Sequence, residues 1–433
     1  MDVSTKQQRL AELAKQRPEI SFTSLNQYLD SEWLREAYQR LRKGSAPGYD
    51  GQTVRDYGEE LDANLQSLLE RAKSGSYYAP PVKRVHIPKG TGKETRPIGM
   101  PVTEDKLLQR AIAMVLEPIY EQDFLDCSYG FRPGRSAHDA LEAIWRQCNG
   151  LNIQWILDID IRKFFDTLKH DHLREFLQHR VRDGVITKLV GKWLKAGVCE
   201  QGMVHYPEDG TPQGGCISPL LSNIYLHYVL DLWFANTVKP EIKGRAFMIR
   251  YADDVVMGFE RREGAERVLG LLSERLEQYG LGLHPEKTRL ISFARTKGMQ
   301  GDNREAFDFL GFTHYWGKSR RGKWIIKRKT SRSRFNRSLK RIAEWCRLNR
   351  HEPVAEQHKA LCRKLQGHFA YYGITGNGPW LEKYKEEVKK LWCKWLNRRS
   401  HVASMPWERF DCLLKHYRLP PAKVVHSIYV AKP

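Results

Sequence analysis

The chain has eight cysteines in 433 residues, and no two of them form a Cys-x-x-Cys pair. Their scatter, at 127, 148, 199, 216, 346, 362, 393 and 412, argues against a disulfide scaffold and against a zinc ribbon, and fits thiols kept reduced in a cytoplasm. Long apolar runs are missing too. A membrane span needs about 20 consecutive apolar residues, and one of the longest uninterrupted runs here is 111–116, AIAMVL. The opening segment MDVSTKQQRLAELAKQ has no apolar core of the secretory kind, so a cytoplasmic protein without a membrane partner is expected. No internal repeat or low-complexity tract is visible. Acidic residues are in short supply: 51 Asp and Glu face 72 Lys and Arg, a net charge of +21 that favours a polyanionic partner. A hydrophobic fraction of 41% is enough to build cores, which excludes wholesale disorder.

The length suggests two to four domains. Residues 318–350 hold 14 Lys and Arg against the single acid Glu344, and seven of the 12 tryptophans lie from Trp316 onward. Interleaved cations and aromatics can hold phosphates and stack on bases; they can equally make a solvated face over a small core. Residues 331–348, 354–372 and 380–397 read as three helices, the second with Leu361, Leu365, Phe369 and Tyr372 at three- and four-residue spacing. GITGNGP, 373–379, breaks the last two apart. Earlier in the chain, 153–161 (IQWILDIDI) reads as a buried strand, and 246–251 with 255–259 as two strands of a tight hairpin turning at Asp253–Asp254. Segments 107–120, 218–233 and 264–280 read as helices, and 290–293 and 307–312 as short apolar pieces. Strand, helix, hairpin and helix in that order give an α+β fold class rather than a doubly wound sheet.

The pair Asp253–Asp254 at a hairpin tip can be an ordinary turn. It gains meaning from Asp160, which closes an apolar run where a charge is costly unless paired or metal-bound. Three carboxylates converging from neighbouring strands offer the hard oxygen ligands that Mg²⁺ takes, and a two-metal site serves in-line phosphoryl displacement.

With YADD at 251–254, the chain resembles the reverse transcriptases encoded by bacterial group II introns, the maturases. The similarity runs through ordered blocks: RKGSAPGYDG (42–51), IPKGTGKETRPIGMP (87–101), CSYGFRPGRSAHDA (127–140), DIDIRKFFDTLKHDHL (158–173), GTPQGGCISPLLSNIYL (210–226), MIRYADDVVMGF (248–259), GLGLHPEKT (280–288) and FDFLGF (307–312). They cover roughly residues 20–315. The resemblance implies a right-hand polymerase. An N-terminal extension and the start of the fingers would occupy 1–85, the rest of the fingers and the palm 86–315 (fingers mainly 86–150, palm mainly 151–315), an all-α thumb or maturase domain 316–400, and a small basic DNA-binding-like segment 401–433.

The same resemblance implies roles for particular residues. Asp160, Asp253 and Asp254 would be catalytic and, with the Ile161 carbonyl, would hold two Mg²⁺ ions, with Mn²⁺ able to substitute. Asp158 falls on the same strand face as Asp160, but the family pattern selects the acid before I-x-x-F-F-D. Phe165 would press on the sugar and exclude a 2′-OH, while Phe164 packs in the core. Lys89 and Arg96 would reach the incoming triphosphate, Lys93 is a weaker candidate, and Gln213 and Lys287 would lie near the nucleotide; each of these cations also reads as a plain surface residue. Within FRPGRSAHDA, Arg132 and Arg135 are the usable cations. For RNA binding, the basic run offers Lys327, Arg328, Lys329, Arg332, Arg334, Arg337, Lys340 and Arg341. The implied partners are group II intron RNA, an RNA template with a DNA primer, dNTPs and target DNA; a homodimer stays open. No paired cysteines of an HNH endonuclease follow, so the resemblance is to the short form. The function expected is RNA-directed DNA synthesis with assistance to splicing. The alternatives are a non-catalytic RNA-binding splicing cofactor, or a domesticated bacterial reverse transcriptase of phage defence or CRISPR adaptation.

Overall fold

The computed structural model describes residues 2–88, 95–206, 208–211, 214–294, 305–319, 321–399 and 405–427. Among them the strands are β1 (Val82–Pro88), β2 (Thr95–Met100), β3 (Trp155–Asp160), β4 (Val198–Glu200), β5 (Met203–His205), β6 (Ala246–Tyr251), β7 (Asp254–Phe259), β8 (Arg289–Ser292), β9 (Phe307–Phe309), β10 (Phe312–Lys318) and β11 (Trp324–Thr330). With the helices between them they make a mixed α+β chain. It divides into two compact units: Met1–Ala140 with Leu157–Leu290, and Leu141–Ile156 with Ile291–Pro433. No helix among the described residues is long and apolar enough to cross a membrane.

The first unit is built on the helix Thr103–Tyr120. Glu104 in its first turn complements the positive end of the helix dipole, and nearly every residue beyond it is buried. A helix apolar all round needs cover on every side. The helices Val3–Gln16 and Ser31–Gln39 supply part of it: Gln7 Nε2 donates to the Met114 carbonyl at 2.9 Å and Trp33 Nε1 to the Ala111 carbonyl at 2.9 Å. Two sheets complete this unit. One has the order β2-β1-β4-β5, with β1 and β2 antiparallel; the other has the order β6-β7-β3-β8.

The turn of the β6–β7 hairpin falls one residue earlier than the sequence suggests. Tyr251 pairs with Asp254, so Ala252 and Asp253 form the two-residue turn and Asp254 opens β7. Ala252 takes φ +56°, as such turns require. The helix Ser218–Leu226 continues into π-wound turns, His227–Asp231 and Trp233–Val238, that nothing in the residue pattern announces.

In the second unit, the helices Arg332–Leu348, Val354–Tyr372 and Gly378–Leu396 lie at or within two residues of the expected bounds. They close around Leu361, Leu365, Tyr384, Val388 and Trp392. Trp392 Nε1 donates to Gln357 Oε1 at 2.9 Å, and His368 stacks on Tyr384 with ring centroids 3.6 Å apart. Burial pushes the His368 pKa down to about 4, so that stacked ring is neutral. The segment after 307 is more than short apolar pieces: β9, β10 and β11 form an antiparallel sheet in the order β11-β10-β9.

Candidate active site

Asp160 ends β3 because its neighbours Leu157 and Ile159 face the core while Asp158 and Asp160 alternate to the other side. Both acids meet cations at the start of β8, one just before it and one on its first residue. Lys287 Nζ lies 3.4 Å from Asp160 Oδ2, and an Arg289 guanidinium nitrogen 3.2 Å from Asp158 Oδ2. The backbone is tied as well: the His284 amide donates to the Asp160 carbonyl at 2.8 Å. Ile161, next in the chain, is buried and bridges to Leu283.

β7 lies between β6 and β3, which sets the hairpin turn beside the strand that carries Asp160. Burial raises the Asp253 pKa above the usual carboxylate range, and the negative charge of Asp160 adds to that, while Arg96 and Arg250 pull it back. Arg96, on β2, thus acts on the hairpin acid. Asp254 is exposed. Among the described residues, no three His, Cys, Asp or Glu side chains are gathered closely enough to hold a metal ion as they stand. The donor set nevertheless fits a hard divalent cation: an aspartate half-buried beside a second aspartate is relieved by added positive charge, and all the donors are carboxylate or carbonyl oxygens.

Phe165, 8% exposed, sits on the short helix Phe164–Thr167. Its ring meets Phe164 edge-on at 5.3 Å, and Phe164 in turn packs on Tyr225. It also lines a cavity of about 310 Å³ with Arg84, Pro97, Lys163, Asp166 and Gly210. Gly210 has φ +89°, and a β-carbon there would come within 2.8 Å of the Phe165 carbonyl, so the loop approaches this helix only as glycine. Lys89, Lys93 and Gln213 lie outside the described residues.

What the residue pattern did not bring out is the frame behind the turn. Arg250 on β6 and Asp231 are both 0% exposed, and the guanidinium reaches Asp231 at 2.8 and 2.6 Å. It also donates to Asn223 Oδ1 at 2.9 Å and to the Ala252 carbonyl at 3.1 Å. Asn223 and Asp231 are eight residues apart, whereas two α-turns take about 7.2 residues; the wider π turn absorbs the excess and lets both face one guanidinium. The signal was an arginine inside the apolar run MIRYADD, since a buried charge demands a partner.

The loop 127–135 is bound to the same frame. The Arg250 amide donates to the Cys127 carbonyl at 2.7 Å, the Tyr129 amide to the Arg250 carbonyl at 2.9 Å, and Asn223 Nδ2 to the Gly130 carbonyl at 2.7 Å. A β-carbon on Gly130 would fall inside contact distance of the Ala252 amide nitrogen. Arg132 is not a usable cation. It is buried, paired with Glu121 at 3.0 Å and donating to the carbonyls of Leu125 and Ser128, because the loop needs its donors internally. Arg135 pairs with Asp126 at 2.5 Å.

Of the basic residues in the second unit, Arg332, Arg334, Lys340 and Arg341 are exposed on the helix Arg332–Leu348, and Arg337 is half-buried. Lys327, Arg328 and Lys329 stand on β11, where alternation decides their fate. Arg328 turns inward with Ile326 and Thr330 and donates to the Leu141 carbonyl at 3.3 Å, which withdraws it from any RNA surface. Lys329 lies over the rings of Tyr315 and Trp380 at 5.0 and 5.7 Å.

Residues 87–314 match the family described as reverse transcriptase (RNA-dependent DNA polymerase). Protein YkfC of Escherichia coli is 38% identical over 329 residues, 67% of this chain and 85% of that protein. Group II intron-encoded protein LtrA of Lactococcus lactis is 39% identical over 235 residues, which span 52% of this chain and 38% of the relative. The putative COX1/OXI3 intron 1 protein of Saccharomyces cerevisiae is 26% identical over 354 residues, 71% of this chain and 42% of that protein.

Proposed function

Because the chain belongs to the reverse transcriptase (RNA-dependent DNA polymerase) family, we propose that it copies the RNA of a group II intron into DNA and binds that RNA to assist splicing and mobility. The observation that carries the catalytic part is the strand order β6-β7-β3, which sets the turn holding Asp253 beside the strand that Asp160 ends. A pure RNA binder has no use for mutually repelling carboxylates beside a polyanion. In this reading the first unit supplies fingers and palm, and the helices of the second the thumb or maturase part.

Asp160, Asp253, Asp254 and the Ile161 carbonyl are the proposed ligands of two Mg²⁺ ions, which when bound would activate the primer 3′-OH and stabilise the leaving oxygen. The remaining work belongs to side chains. Arg96, already acting on Asp253, offsets charge on the incoming triphosphate. Phe165 closes the cavity wall where a 2′-OH would stand, which favours deoxynucleotides. Lys287 holds the Asp160 carboxylate until substrate charge arrives. Lys89 and Gln213 are proposed to complete the nucleotide site.

Intron RNA is assigned to the exposed cations Arg332, Arg334, Lys340 and Arg341, with Lys327, Lys329 and Arg337 at its margin. The relative that bears the name of a group II intron-encoded protein supports that choice of RNA. Primer extension on an RNA template tests the reading. Asp253→Asn should lower the rate by more than about a hundredfold, some 3 kcal/mol of barrier, while RNA affinity stays near the parent's. Normal extension by that variant would remove the carboxylates from the chemistry.

A further inference from the structure

Thr211 belongs to two cavities at once. It lines the cavity of about 310 Å³ together with Phe165 and Gly210. With Val82 it also lines a second, of about 10 Å³, whose further walls include Asp105, Gln109, Trp193 and Ser218. A buried acid and a buried amide thus stand on the other side of Thr211 from the space assigned to the sugar.

The loop from Gly210 to Ile217 is fastened at both ends. At its start the Gly210 amide donates to the Leu168 carbonyl and the Thr211 amide to the Phe165 carbonyl, each at 2.8 Å, and His170 Nε2 lies 2.6 Å from the Gly210 carbonyl. At its end the Ile217 amide donates to Gln109 Oε1 at 3.5 Å, and Thr211 Oγ1 ties the loop to itself by donating to Ser218 Oγ at 3.1 Å. Gly215 shows how tight the second fastening is: a β-carbon there would fall 2.9 Å from Gln109 Oε1. Phe165 and Gln109 therefore hold opposite ends of one loop.

Gln109 is itself aimed by Asp105. The two lie one turn apart on the helix Thr103–Tyr120, 4% and 1% exposed, and Gln109 Nε2 donates to Asp105 Oδ2 at 3.1 Å. The Tyr77 hydroxyl and the Trp193 indole both donate to the other oxygen, Oδ1. An ionised Asp105 can only accept, so it takes the Nε2 end of the amide and turns Oε1 toward Ile217. A proton on Asp105 reverses the order. Oδ2 becomes a donor, the amide presents Oε1 to it, and Nε2 then faces the Ile217 N–H, donor against donor.

Burial holds the Asp105 pKa at about 7, so both forms are populated near neutrality. Among the described residues, the titratable groups acting on Asp105 are Tyr77, Glu104 and Cys216. Burial raises the pKa of Tyr77 and of Cys216, which keeps both neutral in this range, and Glu104 is paired with Arg71. The change of charge falls on Asp105.

We propose that Asp105 and Gln109 are positioning residues for the incoming nucleotide: ionised Asp105 directs the Gln109 amide onto Ile217, which sets the 210–217 loop against the nucleotide cavity, and protonated Asp105 releases it. This assignment rests on the polymerase reading and on the cavity beside Phe165 being the nucleotide's.

The test is primer extension by the full chain on an RNA template, with dNTP varied at about pH 6 and about pH 8.5, on either side of the Asp105 titration. Asp105→Asn imitates the protonated acid, since its amide donates toward Gln109 while its carbonyl still accepts from Tyr77 and Trp193. Its dNTP KM should exceed the parent's by about fivefold at the higher pH, the worth of one hydrogen bond, and match it within about twofold at the lower. The kcat and the KM for primer–template should stay within about twofold at both. The double variant Asp105→Asn, Gln109→Glu exchanges acid and amide, so that the new carboxylate accepts from both the new amide and Ile217; its dNTP KM should return to within about twofold of the parent's. A ratio of variant to parent KM that is the same at both pH values overturns the proposal, and so does a double variant that keeps the raised KM. Equal losses in kcat and in both KM values overturn it too, by making the pair a structural prop. Should Asp105→Asn not fold, the double variant decides alone, a parental dNTP KM supporting the proposal and a raised one overturning it. A parent chain that extends no primer sinks the polymerase reading and this assignment with it; a parent that extends while Asp105→Asn matches it at both pH values sinks the assignment alone.

Discussion

Replacing Arg250 and Asp231, singly and together, separates what holds the fold from what holds the turn. Arg250→Met strands the Asp231 carboxylate at 0% exposure and leaves the acceptors of Asn223 and Ala252 without the guanidinium they now share. Breaking a buried pair from one side costs about 3–5 kcal/mol, a large part of the roughly 5–15 kcal/mol that holds a domain together. Asp231→Leu alone strands the guanidinium and falls in the same range. Made together, the two substitutions remove both buried charges, and the double variant should be no less stable than either single variant, its remaining deficit being about 1–3 kcal/mol for each acceptor left bare, Asn223 Oδ1 and the Ala252 carbonyl. Urea titration, with hydrogen exchange at the amides of β6 and β7, measures this non-additivity. Extension should not return in the double variant, because the Ala252 carbonyl still lacks its donor and the turn carrying Asp253 is no longer fixed. Single variants whose costs simply add in the double, or a double variant that extends at the parental rate, would refute this reasoning.

Three further outcomes are expected. Phe165→Val should let ribonucleotides be incorporated, with the ratio of dNTP to NTP efficiency falling by at least about tenfold; an unchanged ratio takes the ring away from the sugar. Asp105, fully buried under the Tyr77 hydroxyl at 2.8 Å, the Trp193 indole at 2.5 Å and the Gln109 amide at 3.1 Å, has its pKa raised by that burial to about 7. The folded state therefore binds more protons than the unfolded state between the ordinary carboxylate pKa of about 4 and pH 7, so stability falls as pH rises through that window and levels off above it. Asp105→Asn should flatten the slope in melting temperature against pH, and an unaltered slope would assign the pH dependence to other groups. Finally, changing Arg334, Lys340 and Arg341 to Gln should make the salt dependence of RNA binding shallower by about 2 in log–log slope, read by filter binding; an unaltered slope returns those side chains to solvent.

Sequence alone carries the elements whose pattern is physically forced. The helix Val354–Tyr372 lies where its apolar spacing puts it, and β3 is legible because Ile, Leu and Trp surround acids that would otherwise be costly. What stays hidden is orientation and winding. WIIKRKT reads as a basic run, but on β11 every second residue turns inward, and Arg328 goes with them. Arg132 looks as available as any loop arginine until Glu121 and the carbonyls around it are seen. The π turn that aligns Asn223 with Asp231 has no composition of its own. The hairpin tip moved by one residue because Ala252, not Asp254, takes the left-handed backbone.

The close approach of Gly130 to Ala252 binds two stretches of sequence, some 120 residues apart, into one inheritable unit. Any side chain longer than hydrogen at the first would push the second out of register with its strand. An engineer who transplants the YADD hairpin into another sheet without its companion loop would carry the acids and leave behind the clamp that aims them. Homologous exchange between distant polymerases should succeed only when both segments travel together.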